Sequence, residues 1–555
     1  MYRLVASSAD GGAVLQRLDA AGTPADSPEE VSAQDFATAV RRIETAERPR
    51  WAWLRTAETY PALLAAGADV GRCHDLSLCA AILRNSARVT DYTPLDGITT
   101  DGVPTAPGSL PPSAVSQLQG SLFEPGPPPG PSPGHLRAEL AAQLAAVGRS
   151  PARARLALLL AAESAGSLIA TEIQHAGVPW DTGVHDALLR ERLGPRPSNG
   201  ARPALLEAKA AELRALLNAP QLNPDSPQEL MRALHRAGID ARTTRAWELR
   251  EFTHPAIGPL LEYRKMARLL SANGWAWLDA WVSDGRFRPE YVVGGVVTGR
   301  WSSRGGGAMQ IPGDVRSAAR ALPGHRLIVA DASQLEPRVL AALAGDEPMA
   351  AAARGRDLYA GIAEAGFGGD RAQAKVALLG AIYGATTGES GRLMPQLTRL
   401  YPRAVRFVEQ AARDGERGLT VSTHLGRSTP APSERWVRSQ RTASADEQRR
   451  ADALARDRGR FTRNFVVQGT AAEWAECWMA ELRVRLRRIA QRGLTAELVY
   501  FLHDEVMVHA EDAAVAECAK AVEEAAGAAG RLLFPGAPVE FPLSVAVVES
   551  YDQAK

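Results

Sequence analysis

Residues 496–510 read AELVYFLHDEVMVHA. Val499, Tyr500, Phe501 and Leu502 precede a polar tip of His503, Asp504 and Glu505, and Val506, Met507 and Val508 follow it. Two apolar, β-rich runs around so short a tip spell a hairpin. Polar turns are ordinarily solvated, but these flanks are the kind a sheet buries. Two adjacent carboxylates carried by buried strands repel each other unless a cation neutralises them. A divalent metal is the economical explanation.

Two upstream segments carry matching chemistry. In RLIVADASQLEPRVLAALAGD (326–346) an apolar run from Leu327 to Ala330 delivers Asp331 at a strand end, and a helix is expected from about Pro337. An Asp after a strand is, taken alone, an ordinary turn former. In DRAQAKVALLGAIYGATTG (370–388) Asp370 can cap a helix whose first two turns hold Arg371 and Lys375. Positive charge there opposes the helix dipole unless an anion sits opposite. Arg371, Lys375, Leu379 and Tyr383 recur every four residues and share one broad face. A basic pair followed by an aromatic suits a triphosphate with a base beyond it, whereas a solvated amphipathic helix would need no ligand.

The chain has 555 residues, 45% apolar and 23% charged, the balance of a globular protein. That length predicts about three or four domains. No sustained apolar run predicts a membrane span, and MYRLVASSADGG lacks the plan of a signal peptide, so a cytoplasmic protein is expected. Cys73, Cys79, Cys477 and Cys518 are too few and too scattered for a disulfide framework or zinc site and read as free thiols. The net charge of +1 hides a bias, because only five of the 64 basic residues are lysines. Such arginine dominance is also what a GC-rich genome produces, so charge alone does not announce a nucleic-acid binder. Glu434 to Arg463 holds nine arginines, but Asp446, Glu447, Asp452 and Asp457 interleave with them. Both a solvated helix and phosphate contact remain open there.

Pro104 to Gly134 holds ten prolines and five glycines in 31 positions and reads as linker. Before it, RLVASS and RWAWLR read as strands, and PALLAAGADV and LSLCAAILRNS as helices. After it, His135 to Leu217 and His254 to Val282 follow helical spacing. YVVGGVV and RLIVAD mark a change to strand and loop, helices return from about Glu347 to Arg492, and the closing hairpin is expected to pair with the earlier sheet across that insertion.

Together, Asp331-Ala-Ser-Gln334-Leu-Glu336-Pro-Arg338, Arg371-x3-Lys375-x7-Tyr383-Gly384 and His503-Asp504-Glu505 resemble the A, B and C motifs of family A DNA polymerases, the bacterial DNA polymerase I type. TGRWSS (298–303), MQIP (309–312), Arg316, THLGR (423–427) and Arg460-x3-Asn464-x3-Gln468-Gly-Thr follow in family order. LNPDSPQEL and HPAIGPLLEYRKMARL resemble the family's thumb. The resemblance covers roughly residues 155–555.

It implies an α+β, multidomain right hand: a small α/β exonuclease-like remnant (1–95), linker and helix (96–150), thumb (151–290), first part of the palm (291–345), fingers and connecting helices (346–495) and second part of the palm (496–555). It further implies addition of deoxynucleotides to a primer 3′ end by a monomer, with primer–template DNA and deoxynucleoside triphosphates as partners. Asp331 and Asp504 would hold two Mg²⁺ ions, with Mn²⁺ as an alternative, and Glu505 would support that catalytic site. Gln334, Glu336, Arg371, Lys375, Leu379 and Tyr383 would bind the nucleotide, Glu336 crowding the sugar 2′ position. Arg300, Arg316, Arg460, Asn464, Gln468 and His503 would contact DNA. A non-catalytic DNA-binding protein on the same scaffold is the rival expectation. Ala332, Pro337 and Leu379 depart from the family pattern, Leu379 standing where a ring usually packs on the incoming sugar. No Asp-x-Glu occurs in residues 1–95, so proofreading is expected to be absent there, and no 5′-nuclease module is expected.

Overall fold

Alternating apolar residues at the N-terminus build a five-stranded sheet. Its strands are β1 (Tyr2–Ser7), β2 (Ala13–Leu18), β3 (Glu29–Val31), β4 (Arg50–Trp53) and β5 (Arg72–Asp75), in the order β3-β2-β1-β4-β5. The β1–β4 and β4–β5 pairs are parallel, joined through the helices α1 (Phe36–Glu47) and α2 (Thr56–Ala65). Trp51 and Trp53 of β4 are fully buried, and α3 (Leu76–Asn85) follows β5. The computed structural model describes residues 1–8, 11–98, 131–198, 200–306, 311–355, 357–385 and 388–554. Most of the expected linker, and Met309 and Gln310 of MQIP, lie outside them. Pro131 to Gly134 are described, and Ser132 caps α4 (Pro133–Arg149) with Pro at its start.

Helix α5 (Arg153–Ala176) is long and apolar enough to cross a bilayer by length and composition, but 72% of its apolar window is buried inside the protein. It behaves as a core helix. The chain divides into two units, one comprising Met1–His175, Tyr291–Ser303 and Ile328–Ala546, the other Ala176–Glu290, Arg304–Leu327 and the segment from Val547 onward.

The second unit is mostly helical: α6 (Thr182–Leu193), α7 (Ala204–Leu216), α8 (Pro227–Arg236), α9 (Ala246–Leu249), α10 (Ile257–Asn273) and α11 (Trp275–Trp281). Two-residue strands β6 (Val178–Pro179), β7 (Val282–Ser283) and β8 (Arg286–Phe287) form a small sheet beside them. Leu206, Leu213, Leu230, Leu234, Leu260 and Tyr263 pack into one apolar core. Ser226 caps α8 with Pro227 at its first position, as the spacing predicts.

In the first unit, YVVGGVV forms only the two-residue strand β9 (Tyr291–Val292), paired with β10 (Ser302–Ser303). Gly294, at φ +60, turns the chain before a longer strand can develop. The sheet that matters for chemistry contains β11 (His325–Ala332), the hairpin strands β12 (Ala496–Leu502) and β13 (Glu505–Glu511), and β14 (Leu543–Val548), in the order β12-β13-β11-β14. The late hairpin therefore lies beside the earlier strand, with 163 intervening residues inserted as helices. These are α12 (Leu335–Ala344), α13 (Glu347–Ala352), α14 (Leu358–Gly366), α15 (Arg371–Tyr383), α16 (Gly388–Leu400), α17 (Pro402–Glu416), α18 (Glu434–Ser439) and α19 (Ala445–Ala490). Helix α20 (Val515–Leu533) packs between hairpin and α19. The 46-residue α19 opens with a Ser444–Glu447 capping box and runs about 70 Å.

Two buried ionic joints hold this unit together. Arg483 of α19 donates to both carboxylate oxygens of Glu172 on α5 (2.7 and 2.6 Å) and to the carbonyls of Val70 and Gly71 (2.6 and 2.7 Å), while Tyr60 donates to Glu172 at 2.7 Å. The bidentate geometry is the strong form of such a pair, and it ties the N-terminal sheet domain to two long helices. The second joint pairs Arg427 with Glu163, both nearly buried, and Glu473 accepts from Leu425 N at 3.0 Å and from Thr423 Oγ1. Glu476, also buried, is pushed well above the ordinary carboxylate range by burial and by the Glu163 charge. All four cysteines are free and buried.

Burial also pushes Glu473 up to about 7, against hydrogen bonds from Thr423 and Leu425. The folded protein then holds a proton that the unfolded chain has already released between the ordinary value of 4.5 and about 7. Stability therefore falls as pH rises through that window, by at most about 1.4 kcal/mol per pH unit from this group. In Glu473→Gln the pH slope of the unfolding free energy between pH 5 and 7 should flatten; denaturant titrations at several pH values that show an unchanged slope would contradict this role.

Candidate active site

Leu327 to Ala330 are fully or nearly buried, and β11 presents Asp331 where burial ends. The hairpin arrives beside it. Leu502 pairs with Glu505, leaving His503 and Asp504 as a two-residue loop. The Ala332 backbone N–H donates to the Asp504 carbonyl at 2.8 Å, which pins the loop against the end of β11. His503 sits at φ +58, where a two-residue hairpin loop normally has glycine. Gln334, three residues after Asp331, is likewise left-handed at φ +53. Two non-glycine residues under backbone strain thus flank the two carboxylates.

The electrostatics carry the same imprint. The Asp504 carboxyl is pushed up to about 7, first by burial and then by the charge of Asp331, against the opposing pull of Arg300. Burial and the Arg300 charge hold His503 below its ordinary range. Two acidic side chains forced together in a partly desolvated corner form a donor set of hard oxygens, which fits a Mg²⁺-class cation. Glu505 belongs to strand β13 and is buried, so the expected acidic tip of the hairpin is shorter than the sequence suggests.

Helix α15 brings the expected nucleotide residues to one face. Asp370 caps it, accepting from Ala372 N and Gln373 N. Ala374, Ala377, Leu378, Ala381 and Ile382 are buried, whereas Arg371, Lys375, Leu379 and Tyr383 are exposed or half-buried. The helix ends at Gly384, left-handed at φ +74, where a Cβ would lie 3.0 Å from Arg460 Cγ on α19. Glu336, nearly buried on α12, accepts from Tyr383 Oη at 2.6 Å and pairs with Arg300. One carboxylate thereby connects the helix that follows the Asp331 strand, the aromatic end of α15 and the TGRW loop.

Arg460, Asn464 and Gln468 form the unburied ridge of α19, and Asn464 Oδ1 is buried without a protein partner among the described residues. Arg316 lies in the other unit, its guanidinium 4.7 Å above the Tyr551 ring and its Nε donating to Ile311 O. The arginine-dense stretch is only partly available to a ligand. Arg463 is buried against Glu409 and Ala381 O, Arg458 lies over Trp436, and Arg449 and Arg460 pair with Asp446 and Asp457.

Residues outside the expected set also build the site. Arg338, 1% exposed, donates to the carbonyls of Ser333, Ala353 and Glu540 and so clamps the turn after Asp331. Its signal is an arginine two residues after Glu336, ahead of the apolar run VLAALA. Asp357 pairs with Arg371 at 2.8 Å and Tyr359 lies beneath the same guanidinium. Asp357 immediately precedes a helix, a placement that reads as a simple N-cap.

The model of DNA polymerase family A matches residues 203–551. DNA polymerase I of Chloroflexus aurantiacus is 30% identical over 302 residues, 49% of this chain and 30% of that protein. The thermostable DNA polymerase I of Thermus filiformis is 28% identical over 327 residues, 53% of this chain and 36% of that protein. The matched stretch thus spans about a third of the length of these relatives. The solved POL domain of Pol1 from M. smegmatis, in complex with DNA primer-template and dNTP, aligns with a TM-score of 0.69 at 21% identity over 100% of this chain and 95% of that one, which shows a common fold. With the family model covering more than half of its residues, the chain belongs to DNA polymerase family A.

Proposed function

We propose that the chain is a template-directed DNA polymerase that adds deoxynucleotides to a primer 3′ end, acting as a monomer on primer–template DNA in replication or repair. The observation that carries this reading is the meeting of Asp331 and Asp504 at the Ala332 N–H to Asp504 carbonyl bond. In-line phosphoryl transfer asks little covalent chemistry of a protein and is accelerated by positioning and charge stabilisation.

Asp331 and Asp504 would hold two Mg²⁺ ions, which when bound supply activation of the primer hydroxyl and charge neutralisation on the triphosphate. Glu505 would stiffen that corner from the strand behind it. Arg371 and Lys375 grip the outer phosphates and offset charge building on pyrophosphate. Leu379 and Tyr383 follow along the same face, beside the sugar and base. Glu336, fixed by Tyr383 and Arg300, closes the space a 2′-hydroxyl would need. Arg460, Asn464, Gln468, Arg300, His503 and Arg316 contact DNA, reading duplex shape and phosphate position more than sequence. The retained carboxylates and Arg–Lys pair weigh against a catalytically idle scaffold.

The N-terminal sheet domain is best read as a structural remnant of an exonuclease. Asp75 is occupied in accepting from Thr56 N (2.7 Å) and Leu78 N (3.0 Å). Removal of a mismatched 3′ nucleotide that disappears in Asp75→Ala would overturn this reading.

Primer extension with each of the four nucleotides and Mg²⁺ tests the main proposal. Asp504→Ala and Asp331→Ala should each lose roughly three orders of magnitude or more, the upper scale of electrostatic stabilisation by a single group. Wild-type rates surviving in either variant would place the chemistry elsewhere. A ring restored by Leu379→Tyr offers stacking worth about 1 kcal/mol, a factor of about five, and should shift the incorporation ratio of dideoxy- to deoxynucleotides. An unchanged ratio would remove Leu379 from the nucleotide site.

A further inference from the structure

Arg371 is the first residue of α15, and the face of its guanidinium that phosphate would use is already engaged. Its Nη2 donates to Asp357 Oδ2 at 2.8 Å and its Nε to the same oxygen at 3.3 Å, with the Tyr359 ring 5.5 Å below. Asp357 is anchored independently of this pair. Its Oδ1 caps α14 by accepting from Ala360 N at 2.9 Å, and its Oδ2 also accepts from Gln334 Nε2 at 3.1 Å. Gln334 is itself fixed, its Oε1 accepting from Leu358 N at 3.2 Å and Arg338 Nη2 at 3.4 Å. The carboxylate is therefore the stationary member of the pair, whereas the Arg371 side chain is 53% exposed and free to swing.

We infer that Asp357 is a positioning residue that competes with polyphosphate for the Arg371 guanidinium. This rests on the polymerase reading of α15. Phosphate oxygens fit the same Nε–Nη2 edge, so a polyphosphate that takes that edge of Arg371 displaces Asp357. The competitor stays ionised, because the hydrogen bonds from Arg371 and Ala360 outweigh partial burial and hold the Asp357 carboxyl below its ordinary range. Once pyrophosphate forms, a fixed carboxylate 2.8 Å from the guanidinium's other resting place reclaims it and favours release. The chain of contacts from Gln334 to Asp357 to Arg371 also links the turn after Asp331 to the first turn of α15.

Asp357→Asn removes the charge and keeps the helix cap through its single amide oxygen, while its amide NH2 takes the place of the oxygen that accepts from Gln334 and Arg371; Asp357→Ser keeps the cap alone. Calorimetric titration of the intact protein with pyrophosphate and with inorganic tripolyphosphate should show both variants binding three- to tenfold more tightly than wild type. In steady-state extension the KM for deoxynucleotide should fall while kcat stays level or drops. In an Arg371→Ala background neither substitution should change polyphosphate affinity. Weaker or unchanged binding in both variants, or an effect that persists in full without Arg371, would overturn the assignment. Because the titration needs no turnover, it reports on Asp357 separately from primer extension. A wild type that binds polyphosphate but never extends a primer would sink the polymerase reading and leave this competition standing.

Discussion

Two like charges must be held together before anything else in this protein can work. Asp331 sits at the end of a buried strand and Asp504 in a hairpin loop 173 positions later. Pairing of the hairpin with the Asp331 strand, and the bond from Ala332 N–H to the Asp504 carbonyl, bring them together. Burial first, and then the neighbouring Asp331 charge, push the Asp504 carboxyl up to about 7. The surrounding sheet supplies the work. Val499, Tyr500, Val506, Met507 and Val508 are fully buried, and that apolar burial offsets both the repulsion and the left-handed backbone at His503 and Gln334. The arrangement is one in which folding energy is stored as an affinity for positive charge.

The helical insertion between the two strands carries the complementary charge. Its helix α15 presents Arg371 and Lys375 on the face that also ends in Tyr383, and Glu336 joins that end to the strand side of the site. Cationic and acidic groups are thereby carried by different elements of the same unit. Each group is preset by a partner: Tyr383 and Arg300 by Glu336, Arg371 by Asp357. Such pairing lets charged side chains wait in defined positions instead of wandering in solvent.

The parts of this design that the sequence reveals are those with local signatures. The hairpin is legible because apolar residues run up to both sides of His503–Asp504, and α15 because Asp370 and four-residue spacing mark its start and face. Glu505 was harder to place, since a carboxylate next to a turn looks exposed, yet strand pairing with Leu502 puts it inside. YVVGGVV looked like a strand from its β-branched residues, but paired glycines with a positive φ at Gly294 ended it after two residues. Long-range charge pairing left no trace at all. Glu163 and Arg427 stand 264 positions apart, each an isolated charge in its own segment, and only the fold joins them. Asp357 was hidden differently, because its role as an N-cap fully accounts for an Asp at that position.

The Arg483–Glu172–Tyr60 joint has a consequence for how the chain can be divided. The carbonyls of Val70 and Gly71 accept two of the four hydrogen bonds from an almost wholly enclosed guanidinium, and Tyr60 holds the carboxylate that accepts the other two. A shortened version starting after the first lobe would leave Glu172 and Arg483 without these hydrogen-bond partners on α5 and α19. The first lobe is thus a keystone for the long helix on which Arg460, Asn464 and Gln468 ride, and recombinant fragments should be cut with that in view.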